Sequence, residues 1–263
     1  MTSSDTTHPD PGHLARLPLG VDIGGTGMKA APVDLGAGDF AAERVRERTP
    51  QPATPQAVAD ALARVVSTFP VSDAPVGVTM PGIVRHGVVG SAANIDAAWV
   101  GTDADALFTR TLGRAVHVVN DADAAGLAEA TYGAARGRSG LVLVTTLGTG
   151  IGSALVHDGQ LVPNSELGHL ELDGHVAEHR AANSAREREE LTMAAWAERL
   201  TRFYRHLERL FSPDLFVVGG GVSKKADEFL PLLEISTEIV PATLRNKAGI
   251  VGAALEADRA AHR

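Results

Sequence analysis

The chain has 263 residues, no cysteine and a formal net charge of −8. The lack of thiols excludes disulfides, thiolate catalysis and cysteine-held metal, and the acidic balance argues against a general nucleic-acid binder. No uninterrupted apolar run is long enough to span a bilayer, while the length supports one large or two small domains with a substantial core. Met1 to about Arg16 is polar and has no apolar segment of a secretory signal; it reads as a disordered tail, and a cytoplasmic location fits. Leu19 to Lys29 reads as strand, glycine turn, strand. Pro55–Phe69, opened by Thr54, and Ala104–Leu112, opened by Asp103, read as capped helices. Between them Pro75–Met80 is a buried strand running into the turn Pro81-Gly82. Ala115–Val119 is a short strand followed by an Ala-rich helix, Ala122–Tyr132. Leu141–Val156 repeats the strand, glycine turn, strand pattern, Gln160–Pro163 is a further strand, and Glu166–Asn183 has no period. Leu191–Phe211 is the longest helical pattern, with Trp196, Leu200, Phe203, Tyr204, Leu207 and Leu210 along one side. Asp214–Val218 is a strand ending in Gly219-Gly220-Gly221, which opens a helix, and a last helix runs from about Gly249 to Ala261. Strands alternating with helices give an α/β class.

The two glycine turns carry the chemistry. Asp22-Ile23-Gly24-Gly25-Thr26-Gly27-Met28-Lys29 places a carboxylate before a hydroxyl-bearing glycine loop. Glycine lets backbone N–H groups approach a phosphate, Thr26 can donate to it, and Asp22 can hold a hydrated metal. Leu147-Gly148-Thr149-Gly150-Ile151 is a second copy, with Gly25-Thr26-Gly27 aligned on Gly148-Thr149-Gly150. An internal repeat of this kind predicts two related lobes, each with a hairpin tip suited to phosphate. Neither copy is a dinucleotide fingerprint opening a long helix, and neither ends in the Gly-Lys-Ser/Thr of a Walker loop.

Asp22-Ile23-Gly24-Gly25-Thr26, Leu147-Gly148-Thr149-Gly150-Ile151-Gly152, Glu166-Leu167-Gly168-His169 and Gly219-Gly220-Gly221-Val222-Ser223-Lys224 together resemble the repressor/open-reading-frame/kinase (ROK) family of sugar kinases. The resemblance runs from about Leu17 to the last helix. Ala92-Ala93-Asn94-Ile95-Asp96, Asn120-Asp121-Ala122 and Phe211-Ser212-Pro213-Asp214-Leu215 carry a closer likeness to its polyphosphate-using branch. It implies a duplicated actin-like, ribonuclease H-like fold of hexokinase type. The expected lobes are 17–114 and 115–248, with the last helix, about 249–263, packing back on the first.

Residue by residue, the resemblance makes Asp121 the base that takes the proton of the sugar 6-hydroxyl. Read alone, Asp121 could equally be a helix N-cap worth about 1 kcal/mol, and both roles can hold at once. Glu166, His169 and Asn120 are implied sugar contacts, as is Glu178 across a gap. Gly82 and Asn94 complete that set, or are an ordinary Pro-Gly turn and a turn Asn. Gly24, Gly25, Thr26, Gly27, Lys29, Gly148, Thr149 and Gly150 are the phosphate loops. Gly220, Gly221 and Lys224, with Lys225, Arg245 and Lys247 near them, would meet a nucleotide or the distal part of a polyphosphate chain.

Many relatives follow the Gly-His pair with a zinc knuckle of cysteines. Here Gly168-His169 leads into Leu170-Glu171-Leu172-Asp173-Gly174-His175-Val176, so no structural zinc is expected, and His175 and His179 read as surface residues. The implied activity is transfer of the terminal phosphate of polyphosphate or ATP to the 6-hydroxyl of glucose, and of mannose, with Mg²⁺ and in a homodimer. An ATP-dependent kinase for another hexose, such as an N-acetylhexosamine, is the rival reading. A sugar-responsive repressor is disfavoured, because about sixteen polar residues precede the first strand where such relatives carry a helix-turn-helix domain.

Overall fold

The computed structural model describes residues 11–70, 73–92 and 95–263. They divide into two compact units: residues up to Val119 together with Ala253–Arg263, and Asn120–Gly252.

In the first unit, a single helical turn, α1 (Pro11–Leu14), precedes β1 (Leu19–Ile23), β2 (Gly27–Asp34), β3 (Asp39–Phe40) and β4 (Val45–Arg48). Leu14 is buried, so residues 11–16 are not the open tail expected; Met1 to Asp10 lie outside the described residues. The hairpin β1–β2 pairs Leu19 with Pro32 and Ile23 with Met28. α2 (Pro55–Val66) starts where Thr54 accepts from Ala57 N–H and Pro55 fills the first turn, where no amide donor is needed. Its buried face is Val58, Ala59, Ala61, Leu62, Val65 and Val66. β5 (Val76–Met80) pairs parallel with β1, and a two-residue ribbon, β6 (Val84–Arg85) with β7 (Val88–Val89), follows. α3 (Ala104–Leu112) runs from its Asp103 cap to a left-handed Gly113. β8 (Val116–Asn120) then joins the sheet, whose order is β3-β2-β1-β5-β8. That pairing moves the unit boundary from the expected residue 114 to Val119. Trp99 and Phe108, fully buried 5.8 Å apart, fill the core; burying each such side chain contributes about 1.5–3 kcal/mol.

The second unit opens with α4 (Asp121–Tyr132), followed by β9 (Leu141–Leu147), β10 (Ile151–His157) and β11 (Gln160–Val162). The stretch expected to be irregular holds a 3-10 turn at Leu167–His169, a small hairpin of β12 (Glu171–Leu172) and β13 (His175–Val176), and two short helices, α5 (Glu178–Ala181) and α6 (Asn183–Arg188). The Asp173-Gly174 tip of that hairpin takes positive φ at both residues, the geometry an Asp-Gly two-residue turn favours. α7 (Met193–Phe211) buries Trp196, Leu200, Phe203, Tyr204 and Leu207 in its own unit. Leu210 departs from the expected stripe and is 53% exposed. β14 (Leu215–Gly219) and β15 (Ile239–Pro241) complete a sheet of order β11-β10-β9-β14-β15. The triple glycine leads into a 3-10 turn, Gly221–Lys225, and the single turn α8 (Ala226–Phe229), where a longer helix was expected.

Each sheet is thus an antiparallel hairpin extended on one side by a parallel strand and an edge strand, the mark of a duplicated fold. α9 (Ala248–Ala261) ends the chain. From Ala253 it belongs to the first unit, where Gly77 on β5 lies so close to Ala253 O that a Cβ could not fit. Among the described residues no helix is long and apolar enough to cross a membrane.

Candidate active site

In the first unit the hairpin tip runs Gly24-Gly25-Thr26-Gly27 between paired Ile23 and Met28, closed by a bond from Gly24 N–H to Gly27 O of 3.0 Å. Asp22 is half-buried on β1 opposite Lys29, whose Nζ lies 3.1 Å from Asp22 Oδ2. Thr79 donates to Asp22 Oδ1 at 3.0 Å and accepts from Ile23 N–H at 3.2 Å. Two residues that the sequence reading missed hold the loop from behind. Thr49 donates to Gly24 O at 2.6 Å and Gln51 to Gly25 O at 3.1 Å. With those carbonyls engaged, the Gly25 and Thr26 amides have no protein acceptor among the described residues, as an anion-binding loop requires.

The second tip is one residue shorter, since Leu147 pairs with Ile151 around Gly148-Thr149-Gly150. Its carbonyls are also engaged: Ser184 donates its hydroxyl to Thr149 O at 2.5 Å and its amide to Gly148 O at 3.1 Å. The Thr149 and Gly150 amides have no protein acceptor among the described residues. Glu178 links this loop to the predicted sugar contacts. Its Oε2 accepts from Ile151 N–H at 3.0 Å and its Oε1 lies 3.6 Å from His169 Nε2. A Cβ at Gly150 would meet Glu178 Oε2 and push that carboxylate aside. Burial, with the neighbouring Glu178 charge, pushes the Glu166 carboxyl above its usual range, and His169 opposes the shift. Glu166, His169 and Glu178 therefore form one polar cluster.

Asp121 is the first residue of α4 and is exposed. The cap is Asn120, whose Oδ1 accepts from Ala122 N–H at 2.8 Å and from Asp123 N–H at 3.0 Å. The cap reading of the Asn120-Asp121 pair thus belongs to Asn120, while Asp121 Oδ1 accepts from Ala122 N–H at 2.9 Å. Ala122 is close packed on Gly152, 2.9 Å from where a Cβ of that glycine would stand. Gly152 follows Ile151, so Asp121 starts its helix beside the exit of the second loop.

The other predicted residues fall apart from this cluster. Gly82 belongs to the first unit, where a Cβ would meet Ser91 O, so its turn already requires glycine. Asn94 lies outside the described residues. Gly220 has φ of 84° and packs on Leu147, at the foot of the second loop. The turn Gly221–Lys225 packs against the turn Arg245–Lys247, which gathers Lys224, Lys225 and Arg245, all exposed, near one strand end. A cavity of about 510 Å³ lined by Leu172, Asp173, Arg202, Arg205, His206 and Arg209 touches none of the predicted residues.

For a metal, no group of three or more His, Cys, Asp or Glu side chains with suitable geometry occurs among the described residues. Asp22 offers hard oxygen donors, but Lys29 and Thr79 already occupy both atoms. That fits a Mg²⁺ ion carried mainly by phosphate and water and steadied by one carboxylate at a distance.

Known proteins resemble this chain. A polyphosphate glucokinase of Mycobacterium tuberculosis (strain CDC 1551 / Oshkosh) is 49% identical over 255 residues, covering 97% of this chain and 96% of its own. The crystal structure of the inorganic polyphosphate/ATP-glucomannokinase from Arthrobacter sp. strain KM is 58% identical, with a TM-score of 0.89 over 93% of this chain and 100% of that one. A ROK family glucokinase from Streptomyces griseus, solved with glucose and AMPPNP, is 25% identical with a TM-score of 0.76, over 92% and 99%. The ROK family pattern matches residues 18–181, and with these similarities the chain belongs to the ROK family.

Proposed function

We propose that this chain is a glucokinase that transfers the terminal phosphate of inorganic polyphosphate or of ATP to the 6-hydroxyl of glucose, and of mannose. The observation that carries the reading is Glu178, one carboxylate that joins a sugar-type cluster to a phosphate-type glycine loop. Glu166, His169, Glu178 and Asn120 hold the sugar hydroxyls through fixed donors and acceptors. Such a site discriminates because a wrong sugar leaves buried polar groups unpaired. Asp121 accepts the 6-hydroxyl proton as the oxygen attacks phosphorus. Its place at a helix N-terminus favours the carboxylate form and makes it a weak base. That suffices, because phosphoryl transfer through a loose transition state depends mainly on positioning and charge neutralisation.

The amides of loop 148–150, with Thr149, stabilise the oxygens of the transferring phosphoryl group. Loop 24–27, with Thr26 and Lys29, is a second phosphate loop. Mg²⁺ supplies charge neutralisation on the donor when bound, with Asp22 as its protein partner through water. Lys224, Lys225, Arg245 and Lys247 attract the distal donor phosphates beside Gly220 and Gly221. Exposed charges are screened beyond about 8 Å at physiological ionic strength, so affinity for long polyphosphate should fall as salt is raised. The glucomannokinase neighbour supports mannose as a second acceptor. A cytoplasmic homodimer remains part of this reading, with light scattering as the check on assembly. The deciding assay combines purified protein, Mg²⁺ and glucose or mannose with polyphosphate or ATP and measures hexose 6-phosphate. No product from any pair overturns the reading.

A further inference from the structure

Ser184 lies 35 residues along the chain from the loop it holds. Its hydroxyl and amide donate to the carbonyls of Thr149 and Gly148. It stands on α6, directly after α5, whose first residue is Glu178. Ala182 belongs to both helices, ending α5 by donating its N–H to Glu178 O and starting α6 by accepting from Ala185 and Arg186 N–H. Trp196, buried on α7, pins the far end of α5 by donating its indole N–H to Ala181 O at 2.9 Å. Glycine loop 148–150 is therefore gripped at both ends by one small rigid body, at Gly148 and Thr149 by Ser184 and at Ile151 by Glu178. The same body presents Glu178 toward His169.

We infer that Ser184 is a positioning residue for phosphate transfer, and that with Glu178 it makes the order of the donor loop depend on sugar occupancy. The inference rests on the kinase reading above. A carbonyl engaged from behind fixes the peptide plane, and with it the direction of the following N–H. Turning Thr149 O away from the donor thus aims the Gly150 amide at it. A sugar that fixes Glu178 and His169 stabilises the arrangement in which Ile151 N–H is also held. Because coupling between two ligands is reciprocal in binding free energy, the sugar must raise donor affinity and the donor must raise sugar affinity by the same factor. The physical benefit is that the loop reaches full order only when a sugar, and not water, occupies the contacts at Glu178 and His169.

The test uses the full chain and 6-deoxyglucose, which occupies the sugar site but has no hydroxyl to phosphorylate. Tripolyphosphate binding is measured by calorimetry with and without 6-deoxyglucose, for the native protein, Ser184→Ala and Ser184→Thr. The native protein is expected to bind tripolyphosphate more tightly with the sugar present. Ser184→Ala should lose most of that enhancement and raise donor KM about five- to tenfold, the effect of one hydrogen bond. Its affinity for 6-deoxyglucose with no donor present should change less than twofold, and Ser184→Thr should restore the donor KM. Gly150→Ala, which crowds Glu178, should raise both KM values together. Thermal melts identify any variant that fails to fold, in which case Ser184→Thr and the native coupling measurement carry the test. Donor binding indifferent to the sugar in the native protein, or a Ser184→Ala variant with native donor KM, overturns the inference. Failure of the native protein to phosphorylate glucose at all instead overturns the kinase reading.

Discussion

The two glycine loops of this chain solve the same problem with different supports. Both have their carbonyls engaged from behind, leaving successive amides without protein acceptors among the described residues. The first loop is held by Thr49 and Gln51, from the end of β4 and the residues just after it, and neither is among the predicted sugar contacts. The second is held by Ser184 and Glu178, on the helix pair that also faces His169. The two hairpin frames are alike, and under the proposed coupling the segment between β11 and α7 makes one of them answer to a second ligand. The lesson is that the supports, more than the loops, set what each copy does.

Replacing the base sets the scale against which both loops are judged. Asp121→Asn should lower kcat about 100-fold or more while leaving the melting temperature and glucose binding near native values. Near-normal turnover would remove Asp121 from the mechanism.

Thr49→Ala then separates the loops. It should raise donor KM about three- to tenfold through one lost hydrogen bond, with no change in how strongly the sugar enhances donor binding. If it abolished that enhancement as Ser184→Ala is expected to, the two supports would be equivalent and the contrast would fail.

Acidity probes the second support further. Burial raises the Glu166 pKa above the usual 4.5, so this acceptor takes up its proton early as pH falls. The kcat/KM for glucose should decline below an inflection above pH 4.5, and Glu166→Gln should remove that inflection while lowering affinity at all pH. For folding the sign is opposite. The folded state holds this proton more tightly than the unfolded chain, so the carboxyl favours folding below pH 4.5 and loses that contribution as pH rises through its folded value.

Tyr204→Phe tests whether the strand feeding the second loop can be loosened without harm to chemistry. Tyr204 is fully buried and bonded to Thr145 on β9 at 2.7 Å. Its loss should cost about 1–2 kcal/mol of stability, read by chemical denaturation, with little change in kcat.

The smallest effect lies in the first unit. Asp105, 3.7 Å from His117, raises the imidazole pKa above 6.5, with Glu256 4.0 Å away on the other side. Burial and Arg263 oppose that shift. Its stabilising contribution is complete below pH 6.5 and lost as pH rises through the folded value. A decline in melting temperature of the order of 1 °C is expected, absent in His117→Gln.

Much of the proposed site could be read from short local runs of the sequence. The glycine-threonine tips, Asp121, Glu166 and His169 are each fixed by neighbours within a few residues. Glu178 could be placed only across a gap, and the hairpin between it and His169 was hidden in a stretch without period. That stretch folds because Asp173 and Gly174 accept positive φ, which no hydrophobic pattern announces. Leu210 fits the stripe of α7 by spacing, but it lies in the last turn of the helix and stands in solvent. Asp121 and Asn120 both suit a cap by type, and only the coordinates show that Asn120 takes both amides.

By itself, the sequence determined the class of fold and its duplication and named the residues proposed to meet phosphate and sugar, because period, glycine placement and capping act over a few residues. Tertiary structure decided which side chains support each loop. Thr49, Gln51 and Ser184 reach their carbonyls across 25, 26 and 35 residues. A hydrogen bond at that separation depends on where the sheet carries the chain, and a lone Thr, Gln or Ser gives no local sign of it.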